Sequence, residues 1–210
     1  MEERLIRVGI THGDINGIGY EVILKTFSDI RIADLCTPII YGSSKIAAYH
    51  RKVLEMQPVN ISVINQAEDA GVNRINIINC ADEESKVELG KSTEIAGEAA
   101  FKALEAACND LKRGVIDVLV TAPINKHNIQ NDQFHFPGHT EYLEEVFGVS
   151  GKKALMILMS NNLRVALVTG HLPLSEVVQN ITKEDIKSKL SVFNQSLKQD
   201  FGIIKPRIAV

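Results

Sequence analysis

Short, almost continuously apolar runs alternate with longer amphipathic ones along this chain, and that alternation limits its fold more than any other feature. Leu5–Ile10, Pro38–Tyr41, Asn60–Ile64, Ile75–Ile78 and Val115–Thr121 are strand-sized and rich in aliphatic or β-branched residues. Between them, Ile18–Phe27, Ser43–Leu54 and Thr93–Lys112 read as helices. Ser43 suits an N-cap, and Ile95, Ala99, Ala103 and Ala106 lie near one face of an alanine-rich stretch. A strand that is apolar throughout, as Val115–Thr121 nearly is, suits a sheet covered on both faces. The sequence therefore predicts an α/β fold with a largely parallel sheet.

Further along, Thr140–Phe147 and Lys183–Phe201 read as helices, and Ala154–Met159 and Arg164–Thr169 as strands. Ser160-Asn161-Asn162-Leu163 between those strands reads as a hairpin turn, implying a local antiparallel pair in a second lobe. Asn, Asp, Gln, Pro and Gly crowd together near 131–138, so the lobes are expected to be 1–136 and 137–210. The chain finishes on Arg207-Ile208-Ala209-Val210, which resembles the opening of another buried strand. The expectation is a fragment of a longer protein.

Composition removes several classes of function. Hydrophobic residues at 45% against 23% charged suit a packed globular chain rather than a disordered one. A net charge of −3 without a dense Lys/Arg run argues against nucleic acid as a partner. The longest apolar runs fall far short of the ~20 residues that span a bilayer. Met1-Glu2-Glu3-Arg4 is unlike the leader of a signal peptide. Cys36, Cys80 and Cys108 are widely spaced and odd in number. They read as reduced thiols in a cytoplasmic protein, with neither a disulfide framework nor a zinc cluster.

Four segments could carry chemistry. Thr11-His12-Gly13-Asp14-Ile15-Asn16-Gly17-Ile18-Gly19 is a strand-to-helix junction able to hold an anion, although tight packing explains its glycines equally well. Its spacing does not match a Rossmann dinucleotide fingerprint, and Asp14 suits a helix cap. Thr121-Ala122-Pro123-Ile124-Asn125-Lys126-His127 follows the most apolar strand. There Lys126 could pair with a phosphate or carboxylate, or move a proton as a catalytic group. In Pro137-Gly138-His139-Thr140-Glu141, Thr140 suits an N-cap, and His139 beside a helix start suits an anionic substrate. Pro137 separates His135 from His139, which argues against a two-histidine metal site. Finally, Val168-Thr169-Gly170-His171-Leu172-Pro173-Leu174 presents His171 after a strand as a metal ligand, with Pro173 blocking a helix. His50 lies on a helix and reads as structural.

Together these segments resemble the 4-hydroxythreonine-4-phosphate dehydrogenase family of vitamin B6 biosynthesis. The His-Thr-Glu and His-Leu-Pro-Leu stretches are the specific part of the likeness. The resemblance implies a two-lobed α/β/α fold like isocitrate and isopropylmalate dehydrogenases, here truncated at the C-terminus, and a homodimer. It also implies NAD-dependent oxidation of a small phosphorylated substrate, 4-phosphohydroxy-L-threonine, and decarboxylation to 3-amino-2-oxopropyl phosphate. A divalent cation (zinc, magnesium or cobalt) is implied at the reacting oxygen, with His171 as one of its three histidine ligands. His139 and Thr140 match substrate-binding positions, and Lys126 matches a motif lysine. The family usually has proline where His12, Ile15 and Tyr20 stand and glycine where Ala122 stands. Phosphorylated threonate or erythronate is therefore an alternative substrate. A non-catalytic binding module is the alternative if the chain truly ends at Val210. The other metal ligands and the nicotinamide contacts are expected beyond residue 210.

Overall fold

In the computed structural model, which describes residues 4–80, 85–148 and 154–210, the predicted strand–helix alternation builds one parallel sheet. Its strands are β1 (Arg7–Thr11), β2 (Thr37–Gly42), β3 (Ile61–Ile64), β4 (Ile75–Asn79) and β5 (Val118–Thr121), in the spatial order β3-β4-β2-β1-β5. All the pairings among them are parallel. β2 lies between β1 and β4 and every one of its residues is buried, as its uninterrupted apolar sequence requires.

The connecting helices are α1 (Gly19–Phe27), α2 (Ser44–Val53) and α3 (Glu94–Lys112). Ser43 caps α2, its side chain accepting from the Ile46 N–H at 3.4 Å, and Thr93 caps α3, accepting from Ala96 N–H at 3.3 Å. α3 packs against β1, β2 and β5. It buries Ala96, Ala99, Ala100, Ala103 and Ala107, and side chains this small let the helix lie close to the sheet. Ile95, expected on that face, is instead 51% exposed, because the buried stripe passes through the residue after it.

β5 also differs from expectation. Only Val118–Thr121 is strand, and among the described residues β5 pairs with β1 alone. As a sheet edge it leaves Val118 and Val120 exposed rather than covered on both sides.

The chain divides into two compact units, Met1–Phe147 and Gly148–Val210. The expected boundary at residue 136 would cut an aromatic cluster. Tyr142, on α4 (His139–Phe147), meets Phe134 and Phe136 with ring centroids 5.3 and 5.4 Å apart, and Phe101 of α3 at 6.1 Å. That packing keeps α4 with the first unit. In the second unit, β6 (Ile157–Ser160) and β7 (Leu163–Ala166) form the expected antiparallel hairpin. Asn161 adopts φ +47° at its turn, which asparagine tolerates better than most residues. α6 (Lys183–Gln199) buries Phe193 and Leu197. Pro173 does not block a helix. It stands at the N-cap of the single turn α5 (Leu174–Val177), a position where its missing N–H costs nothing. No helix among the described residues is long and apolar enough to cross a membrane.

Candidate functional site

From β1 the chain moves outward to β2 and the edge strand β3, steps back to β4, then returns through α3 to β5 on the other side of β1. The strand order therefore reverses between β1 and β5, and open parallel sheets bind ligands beyond the carboxyl ends of strands at such a point. Two loops meet there. Ala122 N–H donates to Thr11 O at 3.1 Å and Asp14 N–H donates to Pro123 O at 2.9 Å. Gly13 has φ +70°, and a Cβ on it would strike the Pro123 carbonyl. A Cβ on Gly19 would strike the His12 carbonyl. Gly13 and Gly19 thus serve close packing rather than a phosphate cradle. Asp14 accepts from the Asn16 N–H at 2.9 Å within the turn, but it does not cap α1, whose N-cap is Ile18 without a side-chain cap bond.

The segment after β5 folds back on α3. Asn125 Oδ1 accepts from the N–H groups of His127 and Asn128 at 3.0 and 3.4 Å, a side-chain mimic of a turn. Ile129 and Phe134 are fully buried and anchor the segment. Lys126 is exposed. It lies beside Gly138, with Nζ 3.9 Å from where a Cβ on that glycine would sit and Glu141 Oε2 3.6 Å from the same point. His139 begins α4. Its ring is half-buried, and its Nε2 is buried without a hydrogen-bond partner. Burial first, and the Lys126 charge second, hold its pKa below the ordinary value. At neutral pH it is a neutral imidazole with an unspent nitrogen beside an ammonium group, suited to a hydrogen-bonding anion. Thr140 is exposed within the first turn of α4. It is not the N-cap, because the helix starts one residue earlier and Tyr142 N–H already reaches Gly138 O at 3.3 Å.

The structure therefore brings Lys126, His139 and Thr140 together. His171 lies in the second unit, exposed, with φ +56°. β7 ends at Ala166, so His171 is carried by a loop and not directly by a strand end. No group of three His, Cys, Asp or Glu side chains among the described residues could hold a metal ion. His171 is a single exposed donor, and a metal centre needs three or four in fixed geometry.

Sequence reasoning passed over two features. His12 is fully buried and stacks on Tyr20, with centroids 5.2 Å apart and planes 11° apart. Tyr20 in turn stacks on His50 at 5.2 Å. His50 is held by Nε2 at 2.7 Å from Ile15 O, a structural role as expected. The second is Asn16, 3% exposed, whose side chain makes three hydrogen bonds. A polar residue at every second position from His12 to Asn16, in a turn closing a buried strand, was the available signal.

Comparison with known proteins follows the same lines. Residues 34–210 match the family model described as pyridoxal phosphate biosynthetic protein PdxA. A 4-hydroxythreonine-4-phosphate dehydrogenase of Bacteroides thetaiotaomicron is 61% identical over the whole chain, which covers 57% of that protein. One from Sulfurihydrogenibium sp. is 38% identical over 98% of the chain and 62% of its own length. The crystal structure of a 4-hydroxythreonine-4-phosphate dehydrogenase from Burkholderia phymatum superposes with a TM-score of 0.84 at 28% identity. It matches 98% of this chain and 62% of that one. The chain thus spans about three fifths of the length of these relatives.

Proposed function

Since the chain belongs to the pyridoxal phosphate biosynthetic protein PdxA family, we propose that it acts in the NAD-dependent oxidation of 4-hydroxythreonine 4-phosphate. Oxidation of the substrate's secondary hydroxyl gives a β-keto acid, and loss of carbon dioxide from it leaves 3-amino-2-oxopropyl phosphate. The observation that carries this reading is the neutral His139 ring, its Nε2 unpartnered, next to the Lys126 ammonium beyond β5. In the proposal Lys126 pairs with a phosphate or carboxylate oxygen, His139 hydrogen-bonds the substrate, and the exposed Thr140 hydroxyl adds a further contact. Assembly as a cytoplasmic homodimer belongs to the same proposal.

NAD supplies the hydride acceptor, yet the glycine turn does not fit a dinucleotide, since Gly13 and Gly19 are spent on Pro123 and His12. In the proposal His171 contributes one ligand to the implied divalent cation, which needs more donors than the described residues bring together.

The complete gene product, supplied with NAD and 4-hydroxythreonine 4-phosphate, is expected to form NADH. It should show a higher kcat/KM on this substrate than on the 4-phosphates of threonate or erythronate. Lys126→Met should lower kcat/KM about tenfold, mainly by raising KM, because it removes a charge that binds the substrate's anionic end. Preference for phosphorylated threonate or erythronate would replace the substrate. No NADH with any of the three would overturn the reading.

A further inference from the structure

The Asn16 side chain makes three hydrogen bonds to one segment, residues 88–93, which leads into α3. Its Nδ2 donates to Lys91 O and to Thr93 Oγ1, each at 3.0 Å, and its Oδ1 accepts from Glu88 N–H at 2.7 Å. Its backbone carbonyl accepts from Gly90 N–H at 2.9 Å. The Thr93 hydroxyl that it holds is also the cap of α3. Two residues earlier in the same turn, Asp14 N–H is bonded to Pro123 O of the segment that carries Lys126. The turn from His12 to Gly19 therefore joins three pieces of chain at the carboxyl end of the sheet: the 88–93 strap, the first turn of α3 and the Lys126 segment.

We infer that Asn16 is a positioning residue for substrate: it fixes the 88–93 strap, with its exposed Lys91 and Ser92, against the rim of the binding region beyond β1 and β5. The inference rests on the proposed function for the identity of the substrate but not for the staple itself. Few side chains could replace Asn16. Alanine removes every side-chain bond to the strap. Aspartate keeps the acceptor for Glu88 N–H but has no donor for Lys91 O or Thr93 Oγ1, and sets a carboxylate facing a carbonyl. Apart from the side chain, the strap keeps the Gly90 N–H bond to the backbone carbonyl of residue 16, while the Lys91–Glu88 ion pair at 3.0 Å lies within the strap and is exposed to solvent. Anchoring a cation-bearing strap in advance lowers the ordering cost of binding an anion, so its loss acts on affinity before chemistry.

The test uses Asn16→Ala and Asn16→Asp in the complete gene product, with two measurements. Amide hydrogen exchange should quicken at Glu88 and Gly90 in the alanine variant, while the aspartate variant retains part of the Glu88 protection. The KM for 4-hydroxythreonine 4-phosphate should rise about tenfold in the alanine variant, with a smaller change in kcat and in the KM for NAD. Wild-type exchange rates at Glu88 and Gly90 in both variants would overturn the staple. Equal losses in kcat and in both KM values would overturn its role in substrate positioning, since that pattern follows from general destabilisation. If the wild-type protein does not turn over 4-hydroxythreonine 4-phosphate, the functional reading fails and the exchange measurement still decides the staple.

Discussion

Replacing Gly97 by alanine is expected to destabilise the first unit by about 3 kcal/mol, the upper end of what overpacking a filled site costs. Helix propensity alone points the other way, since alanine is favoured over glycine inside a helix by about 1 kcal/mol. The sign is set by what α3 touches. A Cβ on Gly97 would overlap the backbone carbonyl of Asn128 and press on the Ile129 nitrogen, and neither is the movable end of a side chain. Ile129 has no exposed surface, and it packs in the cluster of Phe101, Phe134 and Tyr142. To admit the methyl group, the segment from Ala122 to Gly138 must lift from α3. That movement disturbs the cluster and displaces Lys126 from His139. Urea unfolding checks it: the midpoint should fall with little change in slope. Gly170→Ala is the control, because a Cβ there meets nothing within 4 Å and its effect should stay within about 0.5 kcal/mol. An unchanged midpoint for Gly97→Ala would mean that Asn128 is not held against the helix.

The sheet was legible because burial on both faces leaves an unambiguous mark on a parallel strand. Pro38–Tyr41 of β2 and Ile75, Ile77 and Ile78 of β4 are apolar, and both strands lie inside the sheet. Helix starts were legible where a side chain does the capping, as Ser43 and Thr93 do. Thr140 misled for the same reason. It has the chemistry of a cap, but the carbonyl of Gly138 already receives the Tyr142 N–H, so the helix begins before it. The lobe boundary at residue 136 misled because polar, turn-forming residues near 131–138 marked a real loop. That loop folds back under an aromatic cluster instead of linking two bodies. Long-range pairing of this kind has no local signature.

The site divides in the same way. Lys126, His139 and Thr140 could be chosen from their places next to strand and helix ends, and the fold gathers them. What their residue types did not disclose is the state of His139: an orphaned Nε2 depends on which atoms fail to reach it, a property of the packed structure alone. Asn16 was missed because its partners lie more than 70 residues away, at Glu88, Lys91 and Thr93. His171 was read from sequence as a rigid ligand at a strand end. It stands instead on a loop after a shorter strand, because β7 ends five residues before it.

His12 should make the protein lose stability as the solution is acidified, long before its carboxylates are protonated. The ring is completely enclosed between the end of β1 and the Tyr20 ring. Neither nitrogen has a well-formed hydrogen bond, although the backbone of Gly13 and Ala99 lies close enough to favour the charged form slightly. Burial dominates and lowers the pKa from 6.5 to about 4. Between those two values the unfolded chain holds a proton that the folded chain refuses, so stability rises with pH across the window. The contribution is fully present above about pH 6.5 and is lost as the pH falls toward 4. At ~1.4 kcal/mol for each pH unit, the full effect is about 3 kcal/mol. His50, whose pKa burial also lowers, acts in the same direction. His12→Leu is a close match in volume and cannot titrate. The informative quantity is the difference in unfolding free energy between pH 7 and pH 5, which cancels any constant packing penalty of the substitution. The wild-type protein should be markedly weaker at pH 5, and His12→Leu should lose much of that difference. Parallel pH profiles for the two proteins would show that the imidazole takes up its proton without opening the His12–Tyr20 stack.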